Sequence, residues 1–409
     1  MINEISHCRV CDSTDLVNIL SLGEQALTGV FPGVDEADPE RGPLELIKCE
    51  GCSLVQLRHS FNPEAMYGDN YGYRSGLNAS MVQHLESKIE RLANKFGINE
   101  KSVVLDIGSN DGTSCNKWLS YTKNVIGMDP TANKFRSFYM EKVSFVSEFF
   151  NAETFLSKSA RADLITSIAM FYDLDDPVGF AKDVYESLTE HGVWHLEQSY
   201  LPSMLAANAY DTICHEHVEY YSLTSLNEVF KRANLKIIEV GLNDINGGSI
   251  AVTVAKESNS KYVVPEYVSW LLKQEQYDLY ENNATKLSEF KFRVERHKDS
   301  LLSLLHGLRN EGEIWGLGAS TKGNVLLQYC GIDTNLISAI ADVNPDKMSK
   351  VTPGSRIPIK SESDWMMEMP RYSIVLPWHF KRTFLSKNEK YSQLGGQMIF
   401  PLPRIEMGE

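Results

Sequence analysis

With 409 residues the chain is long enough for two or three domains, and its 43% hydrophobic and 23% charged make-up excludes a disordered polymer. A formal charge of −14 argues against a nucleic-acid partner, which calls for a concentrated basic face, yet leaves room for one local basic pocket. The opening MINEISHCRVC lacks the basic-then-apolar order of a secretory signal, and no apolar run reaches the ~20 residues of a membrane span, so the expectation is a cytoplasmic protein without a membrane partner.

The first predicted unit, residues 1–70, holds Cys8 and Cys11 in CRVC and Cys49 and Cys52 in CEGC. Two CxxC knuckles present four thiolates toward one point, which suits a closed, tetrahedral, structural Zn²⁺. The plainer alternative is a set of reduced core cysteines. The separation of the knuckles is longer than usual, so the segment between them must loop out. Turn formers (Gly23, Gly29, Pro32, Gly33, Pro39, Gly42, Pro43) suggest a loop-rich, metal-dependent module. From Ser80 to Phe96, Met81, Leu85, Ile89, Leu92 and Phe96 recur at helical spacing.

The second unit, residues 71–264, alternates helical segments with short apolar runs: VVLDIG, NVIGMDP, VSFVSE, DLITSIAMF, GVWHLEQ, LKIIEVG and SIAVTVA. That alternation predicts an α/β fold with a mostly parallel sheet. In VLDIGSNDGT, Val103–Leu105 run into Asp106, Gly108 and Gly112 make a tight turn around Asn110, and a helix follows. Such a turn lets a cofactor approach the backbone at the end of the first strand. Asp129, in VIGMDP, would close the next strand, where a carboxylate can accept ribose hydroxyls. The glycines do not complete GxGxxG. DIGSNDG instead resembles motif I of class I methyltransferases, so S-adenosylmethionine (SAM) is expected in place of NAD; the third possibility is a structural turn.

Further on, YDTICHEHVEYYS sets His215, Glu216 and His217 side by side. They could bind a metal, form a catalytic base with its orienting group, or make a polar loop. HEH is not HExxH, and acid–base chemistry is the favoured reading because histidine titrates nearest working pH.

Residues 265–409 open with a long amphipathic stretch to about 308, predicted as linking helices. The strand–helix alternation then resumes in EIWGLGA, LISAIADVNP, RIPI and YSIVLPW, predicting a smaller Rossmann-like α/β domain. In GLGASTKGN the exposed amides at the helix N-terminus and the Lys322 cation could bind an anion, or the segment could merely connect strand to helix. The Walker A pattern is absent. Asp342 and Lys347 lie downstream in ADVNPDKMSK, consistent with a nucleotide nearby.

The four-cysteine module, DIGSNDG, DTIxHEHxxYYS, GAxxKGN and PGxxIPI, in this order, resemble the SAM-dependent C-methyltransferases of nucleotide-linked 4-keto-deoxysugars, such as the TDP-sugar 3-C-methyltransferases. The resemblance implies methylation at C3 of a nucleoside-diphosphate 4-keto-deoxysugar. It implies His217 as general base, Glu216 in the sugar pocket, Tyr71 and Tyr73 reaching the sugar, and His215 beside it. Lys322, Gly323, Asn324, Asp342 and Lys347 would hold the nucleotide diphosphate. Cys214 and the segment FYDLDDP depart from the family pattern, which leaves the sugar open. The competing functions are a sugar O- or N-methyltransferase, a non-catalytic nucleotide-sugar-binding protein, and a zinc hydrolase. The modular build permits a monomer.

Overall fold

The computed structural model describes residues 2–61, 73–281 and 284–408. The N-terminal stretch contains strands β1 (Asn3–Glu4), β2 (Leu16–Ala26), β3 (Arg41–Cys49), β4 (Val55–Leu57) and β5 (His59–Ser60). It is less loop-rich than its turn formers suggest. Gly23 lies inside β2 at φ +75°, where the β2–β3 register shifts, and Gly42 lies inside β3 facing the Phe61 ring. Glycine inside a strand marks a bulge or a close approach as readily as an end. Pro32, Gly33 and Pro39 do occupy the excursion between β2 and β3.

Helix α1 (Ala79–Phe96) is capped by the Asn78 side chain and ended by Gly97 in the left-handed region. It buries Met81, Leu85, Ile89 and Leu92 as its periodicity requires, and Lys88 with them. After it come β6 (Val103–Ile107), α2 (Thr113–Trp118), β7 (Asn124–Met128), β8 (Ser144–Val146), β9 (Ala162–Ile168), β10 (Leu188–Ser199), β11 (Glu219–Tyr220), α3 (Leu223–Arg232), β12 (Leu235–Asn243) and β13 (Ser249–Lys256).

The seven apolar runs of this stretch form one sheet in the order β12-β13-β10-β9-β6-β7-β8. Only β13 runs against its neighbours. Strand order reverses between β6 and β9, which opens a crevice at their carboxyl ends. The strand β11 leaves this sheet altogether: it pairs with β4, giving the N-terminal sheet the order β11-β4-β3-β2. That pairing fixes the HEH segment against the cysteine module.

Helices α4 (Glu266–Gln276) and α5 (Ala284–Arg309) lead to β14 (Ile314–Leu317), α6 (Thr321–Cys330), β15 (Ile340–Asp342), β16 (Ile359–Ser361), β17 (Tyr372–Val375), β18 (Gln397–Phe400) and β19 (Glu406–Gly408). The last sheet has the order β16-β15-β14-β17-β18-β19, parallel except at β18–β19. Its crevice opens between β14 and β17. One apolar core joins Leu44 and Leu57 of the N-terminal sheet to Leu301 of α5 and to Leu326 and Ile374 of the C-terminal layer. Among the described residues no helix is long and apolar enough to cross a membrane.

Candidate functional site

The four N-terminal cysteines converge, their sulfurs all within 4.8 Å of one another. Cys8 and Cys52 are 3.5 Å apart, Cys11 and Cys49 3.4 Å. Bonds of about 2.3 Å to a tetrahedral zinc would space the sulfurs by about 3.8 Å, so the donor set fits a closed Zn²⁺ site. The Cys52 thiol, donating to Cys8, draws the Cys8 pKa down to about 5, while that same bond pushes Cys52 up and burial pushes Cys49 to about 11. One thiolate thus forms at its neighbours' expense, a frustration that a dication relieves. Between the knuckle cysteines, Arg9 extends outward and donates to the Leu57 and His59 carbonyls. The first knuckle therefore clamps β4, the strand on which β11 rests.

At the first glycine turn, Gly108 and Gly112 have φ of +72° and +76°. A Cβ on Gly108 would sit 2.9 Å from Met170 Cγ, and one on Gly112 2.8 Å from the Tyr139 ring. Asp129 stands at the end of β7 and accepts from the Asn110 amide (2.9 Å), the Thr131 amide (2.6 Å) and the Thr131 hydroxyl (2.5 Å). A carboxylate offers about four acceptor sites. Rotation of the Thr131 hydroxyl would free a second position and admit a ribose diol.

The Asn110 side chain is spent on residues 73–75, accepting from the Ser75 amide (3.0 Å) and donating to the Tyr73 carbonyl (3.1 Å). Asp111 accepts from the Gly76 amide (3.0 Å) and pairs with Arg74 (3.6 Å). Asp106 is buried, which lifts its carboxyl to about 7 against a 2.6 Å bond from Thr166. A SAM molecule fits this turn, with Asp129 and the Gly108–Gly112 backbone as the groups that would hold it.

The HEH segment is a turn, and its three side chains diverge. His215 points into the N-terminal sheet, buried, its Nε2 3.2 Å from the Gly42 carbonyl and its ring edge-on to Phe61. The Glu216 carboxylate lies against Gly29, where a Cβ would be 2.0 Å from Oε1, and burial raises it to about 7. His217 Nδ1 lies 3.0 Å from the Thr212 carbonyl, and its ring packs edge-on to Tyr172 at 4.3 Å. A carbonyl only accepts, so Nδ1 carries the proton and Nε2 keeps its lone pair. Burial and the Lys322 charge lower the His217 pKa to about 3, so the ring is neutral at working pH.

Three family models match in tandem: "Putative zinc binding domain" over residues 8–67, "Methyltransferase domain" over 78–240 and "C-methyltransferase C-terminal domain" over 244–403. A curated relative, C-methyltransferase NovU of Streptomyces niveus, is 29% identical over 409 residues, covering 98% of this chain and 97% of its own. The chain belongs to the SAM-dependent C-methyltransferases. Among solved structures, the methyltransferase resembles a SAM-dependent methyltransferase from Clostridium acetobutylicum ATCC 824 (14% identity, 43% of this chain and 92% of that one, TM-score 0.33). It also resembles magnesium protoporphyrin IX methyltransferase from Synechocystis PCC 6803 with bound SAM (10% identity, 47% and 88%, TM-score 0.34).

The second glycine turn of the methyltransferase distributes its expected residues among different tasks. Gly323 packs where a Cβ would meet Leu376 at 2.8 Å. Asn324 is fully buried and donates to the Thr28 carbonyl (2.7 Å), tying the cysteine module to α6. Asp342 accepts from the Ala319 and Asn344 amides (2.8 and 2.7 Å). Lys347 bridges Asp342 (3.7 Å) and the Ala319 carbonyl (2.6 Å).

Lys322 instead leaves its own turn and reaches the Asn246 carbonyl (3.0 Å), from where its charge acts on His217 of the HEH segment. Asp211, bonded to Trp378 Nε1 (2.7 Å), and His379 complete this group. Both escaped the sequence reading: Asp211 sits in YDTICHEH and His379 in YSIVLPWHF, but neither has a motif of its own. Tyr73 holds Asn110 through its carbonyl while its ring is half exposed, and Tyr71 lies outside the described residues.

Proposed function

We propose that the methyltransferase acts on C3 of a nucleoside-diphosphate 4-keto-deoxysugar, with His217 as the general base. The observation that carries this reading is the fixed tautomer of His217, whose Nδ1–H faces the Thr212 carbonyl and whose Nε2 is left as an acceptor. A ketone at C4 acidifies the C3 hydrogen because the conjugate base delocalises onto oxygen. A neutral imidazole held in one tautomer can remove that proton and contributes typically 10²–10⁴-fold. Asp129 and the Gly108–Gly112 turn, with Asp106 and Asn110 supporting it, hold SAM in this reading; when bound, SAM supplies an electrophilic methyl group.

Glu216, drawn up to about 7, is largely protonated below neutrality and can donate a hydrogen bond to a sugar oxygen. His215 acts by holding the HEH turn on the N-terminal sheet. Tyr71 and Tyr73 come from the segment just before α1. The nucleotide diphosphate occupies the crevice of the C-terminal sheet, where Gly323 and Asn324 fix the turn and Asp342 and Lys347 brace it.

In D₂O the enzyme is expected to exchange the C3 hydrogen of its ketosugar. His217→Asn should abolish exchange and methyl transfer while SAM binding, measured by calorimetry, stays unchanged. Exchange retained in His217→Asn would place the base elsewhere. Methyl transfer without any exchange in the unaltered enzyme would favour an O- or N-methyltransferase.

A further inference from the structure

We propose that Lys322 is the catalytic cation that stabilises the enolate oxygen, not an anchor for the diphosphate; this rests on the C-methylation reading above. Four separate segments bring the group together. Lys322 begins near the N-terminus of α6, Asn246 lies in the β12–β13 turn, Asp211 precedes the HEH turn, and His379 follows β17. The ammonium donates to the Asn246 carbonyl, and its two other N–H bonds have no partner among the described residues. Within the same group a Cβ on Gly247 would lie 3.4 Å from the Trp378 ring and 3.9 Å from His379 Cβ.

The turn that carries Asn246 is itself held rigid. Asn243 donates to Glu197 (2.6 Å), and that buried carboxylate also takes a 2.6 Å bond from Lys88 and lies 2.6 Å from His84 Nε2. A fixed carbonyl thus holds a half-buried cation with unspent donors, and the charge of that cation reaches the neutral His217 imidazole. Burial, and after it the charge of the same cation, holds down the pKa of His217 and of His379, whose buried Nδ1 has no partner among the described residues.

This is the complement of an enolisation. The C3–H bond breaks and its proton passes to His217 Nε2. The bonding pair becomes the C3–C4 double bond, and the carbonyl π pair moves onto O4. A preorganised donor aimed at the atom where charge develops is worth about 10²–10³-fold in rate. A diphosphate, by contrast, is bound equally before and after proton removal, so a cation devoted to it would alter KM more than kcat.

The test uses the full-length, zinc-loaded enzyme and TDP-, UDP- and GDP-linked 4-keto-6-deoxyhexoses. The probe is whichever compound the unaltered enzyme exchanges at C3. Lys322→Met should slow exchange about 10²–10³-fold, while calorimetric affinities for SAM and for the corresponding nucleoside diphosphate change less than about threefold. Lys322→Arg should recover part of the rate.

The ammonium is pushed below the usual lysine range by burial, with Asp211 and Cys214 opposing that shift. Its charged form is lost as pH rises through that lowered value, so exchange by the unaltered enzyme falls on the alkaline side. In Lys322→Arg that alkaline fall should vanish, because guanidinium does not deprotonate. Exchange at the unaltered rate in Lys322→Met, or a loss confined to nucleoside-diphosphate affinity, overturns this proposal and leaves His217 in place. Absence of exchange with every compound sinks the C-methylation reading, and this inference with it.

Discussion

The two glycine turns are close local replicas with different contents. In the first, the Gly108 amide donates to the Met128 carbonyl (2.8 Å), and Asp129 accepts from the Asn110 amide and from the amide two residues beyond itself. In the second, the Gly318 amide donates to the Ala341 carbonyl (2.7 Å), and Asp342 accepts from the Ala319 amide and, likewise, from Asn344. Each glycine backs onto the neighbouring strand's exit, Gly108 onto Met170 and Gly318 onto Pro377. The difference lies in what finishes the carboxylate. Asp129 is completed by a rotatable hydroxyl, whereas Asp342 is completed by Lys347, whose ammonium also caps the turn's Ala319 carbonyl. A glycine turn followed by an acidic strand end is thus a folding solution first, and its capacity for a ribose depends on whether the chain has already filled it.

Removing each carboxylate should break the resemblance most visibly. If Asp129 accepts the two ribose hydroxyls as proposed, Asp129→Ala removes that acceptor; at about 1.5–3 kcal/mol per charge-assisted bond, SAM affinity should fall about 10²-fold or more. Asp342→Ala should leave SAM affinity unchanged and cost about 3 kcal/mol of stability, because the partly buried Lys347 loses its counter-charge. Calorimetry and urea unfolding read the two quantities. Comparable SAM losses in both variants would show that the two turns are equivalent toward SAM.

The glycines sharpen the contrast by a smaller amount. Both need positive φ, which costs a non-glycine residue about 1–2 kcal/mol. At Gly318 the added Cβ would lie 2.5 Å from Pro377 Cγ, a ring that cannot swing aside, while at Gly108 the obstacle is the flexible Met170 chain at 2.9 Å. Gly318→Ala should therefore lower Tm more than Gly108→Ala, and only Gly108→Ala should weaken SAM binding. A larger Tm loss at Gly108 would contradict this ordering.

The same contrast explains what was legible in the sequence. The seven strands of the central sheet were readable because each is a short apolar run set between helical segments. The cysteine site was readable because its spacing carries its chemistry. The long β2–β3 hairpin was obscured by glycines that serve as a bulge and a ring contact, as Gly23 and Gly42 do. QMIF and EMG, which form β18 and β19, are too short to signal themselves. At the candidate site, His217 and Lys322 were picked out, but the reach of the Lys322 charge to His217 was not, since Lys322 is held by Asn246 of the β12–β13 turn. His215 sits two residues from His217 and faces a different unit, which no spacing rule distinguishes in a turn. Asp211 and His379 gain significance only from the fold that surrounds them.

The smallest effect concerns Asp106, which lies in β6 two residues before Gly108, where the second turn has Gly316 two residues before Gly318. Burial raises the Asp106 carboxyl to about 7, well above its unfolded value near 3.9. A raised folded value means the native state holds the proton more tightly, so this contribution to stability is complete below about pH 4. It declines as pH rises and is gone above about 7. One pH unit within that window corresponds to about 1.4 kcal/mol before relaxation and water entry reduce it. Asp106→Asn can still accept from Thr166 but does not titrate. Its stability relative to the unaltered protein should therefore climb by about 1 kcal/mol per unit between pH 5 and 7 and level off above that range. A flat difference in urea unfolding across those pH values would mean that the carboxyl ionises freely where it stands, and the second turn's lack of an acid at this place would then carry no energetic meaning.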